Sequence, residues 1–148
     1  MERGLKQRVN ALNAFLRDIY SDTNIIHDGV IPEEFVYTSP GYLPQVNGVT
    51  PPGGVFAHIA GEDLVQGEDG RWWVLEDNLR IPSGASYPLF VRDIERRADP
   101  KLFRDVSLRD NRDYPRLLRK TMDFVSTEGI AVVLSPGRFN SAFFEHAY

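Results

Sequence analysis

Apolar residues near the start of the chain recur at steps of three and four positions, which predicts an amphipathic helix that ends near Tyr20. The polar residues 21–24 interrupt this pattern. Pro32 stands before two glutamates, which indicates a short helical turn because proline is favoured at the first helical position. The apolar stripe of the first helix consists of Leu5, Val9, Leu12, Phe15, Leu16 and Ile19.

Further helices are predicted in the second half of the chain. A polar, arginine-rich stretch is expected to be helical over about residues 89–98. Another helix begins near Tyr114, with Asn111 or Asp113 as its N-terminal cap. Its apolar stripe consists of Leu117, Leu118, Met122 and Val125.

A β-hairpin is predicted in the middle of the chain. Short apolar runs at residues 64–65 and 72–75 flank the turn-rich residues 67–70. Prolines and glycines are dense before the hairpin, so we expect irregular structure there. Two short strands are predicted in that region, near residues 42–46 and at residues 55–59.

The end of the chain predicts the start of a βα unit. Residues 130–134 form a β-branched run between Gly129 and Pro136, which indicates a buried strand. Asn140 and Ser141 then begin a helix, and capping is the simplest role for either side chain. A parallel strand needs a partner beyond a crossover, so we expect this chain to be part of a larger protein.

Oxygen-bearing side chains cluster in the predicted hairpin. Side chains alternate along a strand, so Glu76 and Asn78 point to one face and Asp77 to the other. Asp63 lies on the opposite arm, where folding brings it beside that pair, although the adjacent Glu62 is an alternative. Two carboxylates and an amide oxygen are the hard ligands that Mg²⁺ takes, with substrate phosphates completing the site. The alternative is a strand end with ordinary solvated polar residues.

Composition sets broad limits on the class of protein. The chain has 148 residues, 42% of them hydrophobic and 26% charged, which is typical of one globular domain. Its net charge of −4 gives no reason to expect a nucleic-acid partner. The chain has no cysteine, which excludes disulfides and thiolate zinc sites. No apolar run approaches the roughly 18 residues of a membrane span, so we expect a cytoplasmic protein without a membrane partner.

The hairpin resembles the metal site of ATP-grasp ligases, which is an aspartate, a short hairpin and then Glu-x-Asn. Twelve residues separate Asp63 from Glu76-Asp77-Asn78. The longer string E-D-N-L-R-I-P-S-G is similar to circularly permuted ATP-grasp proteins related to glutathionylspermidine synthase. Two further segments agree with that family: R-V-N-A-L-N-A-F-L-R-D-I-Y near the start and L-S-P-G-R-F-N-S-A-F-F-E-H near the end.

The resemblance implies an α+β fold, namely a partial ATP-grasp subdomain with a mainly antiparallel sheet and flanking helices. It implies a metal-binding part over residues 1–128, with the first helix, and the start of a following α/β subdomain over residues 129–148. It also implies ATP and Mg²⁺ as cofactors. Asp63, Glu76 and Asn78 would hold the metal.

Two further site residues follow from the resemblance. Arg80 would contact the transferred phosphoryl group, the alternative being an ion pair that only neutralises Glu76. Ser83, in the Pro-Ser-Gly loop, would contact substrate or nucleotide, the alternative being a plain turn. Glu145 and His146 do not form a metal pair, because adjacent residues do not share a helix face.

The implied activity is that of an ATP-dependent carboxylate–amine ligase acting through an acylphosphate. Its partners would be a small-molecule or peptide-like carboxylate, an amine, and the remainder of the ATP-grasp domain. No segment matches the lysines and glycine-rich loop with which these enzymes grip nucleotide, so we expect the isolated chain to be inactive. The alternative function is a non-catalytic binding module or a truncated remnant that keeps the fold.

Overall fold

The computed structural model describes residues 1–148, with the side chain of Asp105 left aside. The chain forms two compact units, Met1–Pro82 and Ser83–Tyr148, which are described separately below. Helices and one antiparallel hairpin make up the regular structure, which confirms the predicted α+β class. The proposed division of the family subdomains at residues 128 and 129 stays a prediction.

The first unit begins with α1, which spans Glu2–Ile19 and confirms the predicted amphipathic helix. Two short helices follow, α2 over Asn24–His27 and α3 over Glu33–Tyr37. Few apolar residues of this unit are buried, and Ile19, Val36 and Ala57 form its core. Stacked aromatic rings extend that core, with centroids 5.4 Å apart for Tyr20 and Tyr42 and 5.6 Å apart for Tyr20 and Phe56.

The predicted hairpin forms from β1, Gly61–Gln66, and β2, Trp72–Asn78. Near the turn, Gln66 pairs with Trp72 and Leu64 with Val74. A β-bulge then shifts the register between Asp63 and Leu64. Leu75 is the extra residue of this bulge, because it has no partner in the register. The shift decides which acidic residue faces which.

The strand predicted at residues 55–59 does not form. The side chain of Asn13 makes the hydrogen bonds that a neighbouring strand would make to this segment. The Asn13 side chain is buried at the inner face of α1. Its Oδ1 accepts hydrogen bonds from the backbone N–H groups of Phe56 and Ala57, both at 2.9 Å. Its Nδ2 donates to the carbonyl of Ala57 at 3.0 Å. One amide therefore satisfies backbone groups that a neighbouring strand would otherwise pair.

The short strand predicted near residues 42–46 is also wrong. Pro44–Val46 form a turn of 3₁₀ helix instead, and Pro52–Gly54 form another. Proline supplies no backbone N–H for a ladder but suits the first residue of a helical turn, so Pro44 favours the outcome observed.

The second unit is helical in its regular parts. It contains α4, Ser86–Ala98, α5, Leu102–Asp105, α6, Tyr114–Val125, and α7, Phe143–Ala147. The predicted helices near residues 89–98 and 114–125 are thereby confirmed. Phe144 of α7 packs against two aromatic rings of α4, with centroids 5.2 Å from Tyr87 and 5.3 Å from Phe90.

The prediction of a buried strand at residues 130–134 is wrong. This segment has no regular structure, and Ile130 and Leu134 are 90% and 86% exposed. A lone strand leaves its backbone groups unpaired, and no described strand lies next to this one. The helical half of the expected βα unit does form, as α7.

We expect Asn13→Ala to lower the free energy of unfolding by about 2–3 kcal/mol, because buried backbone groups of Phe56 and Ala57 lose their partner. Urea denaturation of the whole chain measures this loss. Asn10→Ala is the matched control, since Asn10 is exposed on the same helix and should change stability by less than about 0.5 kcal/mol. Equal effects of the two substitutions would contradict the role given to Asn13.

Candidate metal centre

The outer face of the hairpin carries the three predicted ligands. Asp63 stands directly opposite Glu76 in the antiparallel register, and Asn78 follows two residues along the same strand. Asn78 Nδ2 donates a hydrogen bond to Glu76 Oε1 at 3.0 Å. All three side chains are exposed. The predicted placement of Asp63 beside the Glu76–Asn78 pair is confirmed, whereas their role as metal ligands stays a prediction.

The bulge selects Asp63 over the alternative Glu62. If the register of the pairs next to the turn continued without a shift, Glu62 would stand opposite Glu76. The extra residue Leu75 moves every later pair by one position, so Glu62 faces Asp77 and Asp63 faces Glu76. Burial agrees, since Glu62 and Asp77 are half-buried while Asp63 and Glu76 are exposed.

The donor set fits a hard divalent cation. Two carboxylates and one amide oxygen supply part of an octahedral shell, and Mg²⁺ commonly takes its remaining ligands from water and phosphate. No group of three or more histidine, cysteine, aspartate or glutamate side chains with metal-binding geometry occurs among the described residues.

Because Gly61 has no side chain, the part of the outer face next to Asn78 stays open. Gly61 stands opposite Asn78 in the register. A Cβ atom at Gly61 would lie 3.2 Å from Pro82 Cβ and 3.7 Å from Asn78 Cβ. The close approach of Pro82 therefore leaves little room for a side chain next to the predicted ligand Asn78.

The inner face of the hairpin carries an ion pair with α1. Arg8 Nε and Nη2 donate to Asp77 Oδ1 and Oδ2, both at 2.6 Å. The hydrogen bonds from Arg8 lower the pKa of the Asp77 carboxyl, and the hydrogen bonds to Asp77 raise the pKa of Arg8. Asp77 therefore points away from the predicted ligands, as strand alternation predicts.

Arg80 and Ser83 lie beyond the strand. β2 ends at Asn78, and Arg80 occupies an exposed bend, so strand alternation does not fix the direction of its side chain. Ser83 is exposed at the start of the second unit. The functional roles of both residues stay predictions.

Glu145 is a structural residue that the sequence analysis missed. The backbone N–H of Gly84 donates to its Oε1 and Oε2 at 2.7 and 2.8 Å, and the hydroxyl of buried Ser86 donates to Oε2 at 2.7 Å. A positive φ of 101° at Gly84 suits glycine at this position. Glu145 thus caps the beginning of α4. The first turn of α4 has no acidic residue of its own. No local sequence signal identifies Glu145 as the cap, because it lies 59 and 61 positions from Ser86 and Gly84.

Burial opposes ionisation of Glu145, but the hydrogen bonds from Gly84 and Ser86 outweigh it and lower the pKa of this carboxyl. The charged form is therefore the one that the folded second unit stabilises. Through these hydrogen bonds the Glu145 carboxylate connects α7 to the Gly84–Ser86 turn, which immediately follows Ser83.

An Asp-hairpin-Glu-x-Asn face on an α+β chain is the arrangement of the ATP-grasp class. A comparison with protein families matches residues 1–148 to the family described as "A circularly permuted ATPgrasp". The chain belongs to the circularly permuted ATP-grasp family, as its resemblance predicted.

The chain also has relatives in several bacteria. The chain is 44% identical over 152 residues to an uncharacterized protein of Synechocystis sp., with 100% of this chain and 32% of that protein covered. It is 44% identical over 151 residues to an uncharacterized protein of Mycobacterium tuberculosis, with 99% and 27% covered. It is 40% identical over 152 residues to a Frankia alni protein named "Putative glutamate--cysteine ligase 2-3", with 98% and 17% covered. The chain therefore spans less than a third of the length of these relatives.

Among the residues that the structure describes, no helix has both the length and the apolar character needed to cross a membrane.

Glu145→Gln should weaken the second unit at neutral pH by about 1 kcal/mol, the usual contribution of a helix cap. Because the folded pKa lies below the ordinary carboxyl value of 4.5, the stabilisation is present above that pH and is lost as pH falls through the lowered folded value. The variant should therefore lose less stability on acidification than the parent chain. Urea unfolding of the parent chain and the variant, from neutral pH to below the lowered pKa of Glu145, measures the loss at neutral pH and the change on acidification.

Glu95→Gln provides the control for that measurement, since Glu95 is an exposed carboxyl on the same helix α4. Its acid dependence should match that of the parent chain. Identical pH profiles for the parent and Glu145→Gln would show that Glu145 does not cap α4 in solution.

Proposed function

We propose that this chain supplies the Mg²⁺- and ATP-binding part of an ATP-dependent carboxylate–amine ligase. The observation that carries the proposal is the pairing of Asp63 with Glu76, with Asn78 on the same face, in a member of the circularly permuted ATP-grasp family. The names of two relatives support the ligase class, since they are "Putative glutamate--cysteine ligase 2-3" and "Putative glutamate--cysteine ligase 2-2". A glutamate–cysteine ligase joins a carboxylate to an amine.

The proposed reaction has two steps. A carboxylate oxygen of the first substrate attacks the γ-phosphorus of ATP, the bond to the bridging oxygen breaks, and ADP leaves. An amine then attacks the carbonyl carbon of the acylphosphate, inorganic phosphate leaves, and the nitrogen loses a proton to give the amide. Bound Mg²⁺ would neutralise charge that develops on the phosphate oxygens.

Residues of the hairpin would hold and orient the reacting groups. Asp63, Glu76 and Asn78 would present oxygen atoms to the metal from one pair of strands. Arg80 lies two residues after Asn78 and would steady the negative charge of the phosphoryl group during transfer. Ser83 and its loop would contact substrate or nucleotide from the beginning of the second unit.

The rest of the proposed enzyme is the partner of this chain. The relatives are three to six times longer. No segment of the sequence resembles the lysine-bearing part with which ATP-grasp enzymes hold the nucleotide phosphates. We therefore propose that the remainder of an ATP-grasp domain, together with the carboxylate and the amine, completes the site. A cytoplasmic location, where ATP is available, belongs to the same proposal.

The first test is calorimetric titration of the chain with a Mn²⁺ complex of a non-hydrolysable ATP analogue. We expect weak, metal-dependent binding, and we expect Glu76→Gln to raise the Kd at least about 10-fold, the equivalent of about 1.4 kcal/mol. The substitution removes one of two carboxylate ligands while keeping the size of the side chain.

Glu68→Gln is the matched control, because Glu68 is an exposed acid in the turn of the same hairpin and lies away from the predicted ligands. Its Kd should equal that of the parent chain. Absence of binding by the folded parent chain, or an equal loss in both variants, would contradict a working metal site in this hairpin. It would then favour the non-catalytic alternative.

The isolated chain should not hydrolyse ATP, because the groups that grip and activate the nucleotide are shared with the rest of the domain. Release of inorganic phosphate from ATP and Mg²⁺ measures this directly, with Glu76→Gln as the blank. A Glu76-dependent turnover near the ordinary enzyme range of about 1 s⁻¹ or faster would contradict the division of the site.

A further inference from the structure

We propose that Arg8 is a positioning residue whose ion pair with Asp77 locks the register of the hairpin and so brings Glu76 and Asn78 to the outer face. The inference about register stands on the geometry of the first unit alone. Its consequence for metal binding rests on the proposed function. Arg8 does not touch the predicted ligands and acts on them only through Asp77.

The geometry of the Arg8–Asp77 contact fixes the orientation of the end of β2. Arg8 lies on α1 and Asp77 at the end of β2, and the guanidinium meets the carboxylate through two parallel hydrogen bonds of 2.6 Å. The Asp77 side chain is only 15% exposed. Bidentate pairs fix orientation as well as distance, so this contact defines the direction in which Asp77 points.

The direction of Asp77 determines the faces of its neighbours. Because side chains alternate along a strand, an inward Asp77 places Glu76 and Asn78 outward. In a hairpin without the bulge, every residue after Val74 would shift by one position in the register. Glu76 and Asn78 would then share the inner face, and Asp77 would point to solvent, out of reach of Arg8. The ion pair is therefore compatible with the bulged register and incompatible with the straight one.

The charges on the inner face give Arg8 a second role in the observed register. In the observed register Glu62 stands opposite Asp77, which places two carboxylates directly across the strands. Like charges in that position destabilise a sheet. Glu62 Oε1 is buried and makes no hydrogen bond to a described residue, while the charge of Glu62 also attracts Arg8. Arg8 thus offsets both acids in the observed register. The straight register would also set two carboxylates opposite each other, those of Glu62 and Glu76. The geometry of the Arg8–Asp77 pair, and not like-charge repulsion, therefore distinguishes the two registers.

The small size of the hairpin explains why its register needs a contact from outside the sheet. No described strand besides β1 pairs with β2, and isolated two-stranded hairpins are only marginally stable in water. A register that depends on a bulge near the open end of such a hairpin needs an outside contact to select it. Arg8 supplies this contact from α1.

The experiment compares the parent chain with Arg8→Gln, using nuclear Overhauser contacts between backbone protons to report the register and Mn²⁺ titration followed by electron paramagnetic resonance to report affinity. In the parent chain Asp63 should contact Glu76. In Arg8→Gln that contact should weaken, contacts of Glu62 with Glu76 should appear, and the Kd for Mn²⁺ should rise roughly 10-fold, as for other outer-shell residues.

Arg17→Gln is the matched control, because Arg17 lies on the same helix and donates to the carbonyl of Gly54 rather than to the hairpin. It should keep the parent register and affinity. Arg8→Lys keeps the charge but loses the bidentate geometry, so it should fold and show an intermediate register population. Should Arg8→Gln fail to fold, Arg8→Lys against Arg17→Gln decides the question.

An unchanged Asp63–Glu76 contact in a folded Arg8→Gln would overturn the proposal, and so would a loss of affinity without a change of register. If the register changes but the parent chain binds no Mn²⁺, the role of Arg8 stands and the proposed metal function fails. The two readouts therefore separate the failure of this inference from the failure of the proposed function.

Discussion

The register of one short hairpin is the constraint on which the candidate site depends. Asp63, Glu76 and Asn78 share a face because a single extra residue, Leu75, shifts the pairing near the open end of β1 and β2. A slip of one position would exchange the faces of Glu76 and Asp77 and replace Asp63 by Glu62 as the opposing acid. The α1 helix, through Arg8, contacts the hairpin on the side opposite these ligands.

Individual polar side chains replace missing secondary structure in both units. In the first, the buried amide of Asn13 satisfies backbone groups of a segment that has no neighbouring strand. In the second, the Glu145 carboxylate caps the beginning of α4. Each contact joins residues more than 40 positions apart. These contacts matter because the buried apolar core consists of only a few residues.

Exposed apolar surface supports the proposal that the chain works as part of a larger domain. Residues 130–134 and Phe139 are largely exposed, and the apolar faces of several helices are only half-buried. Contiguous exposed apolar surface is uncommon on a domain that acts alone. Relatives three to six times longer contain the additional chain that such a domain would need.

The sequence by itself determined the features that depend on local periodicity and on residue type. Spacing of apolar residues predicts α1 and α6, and a polar, arginine-rich stretch predicts α4. Turn residues between two apolar runs predict the hairpin. Alternation correctly places Glu76 and Asn78 on one face and Asp77 on the other, and the motif identifies the family.

Only the tertiary structure decided the rest. Local propensity favours strands at residues 55–59 and 130–134, but a strand forms only where another strand pairs with it, and neither segment has such a partner. The bulge at Leu75, the Arg8–Asp77 ion pair and the Glu145 cap depend on contacts between residues far apart in the chain, and no local pattern encodes those distances.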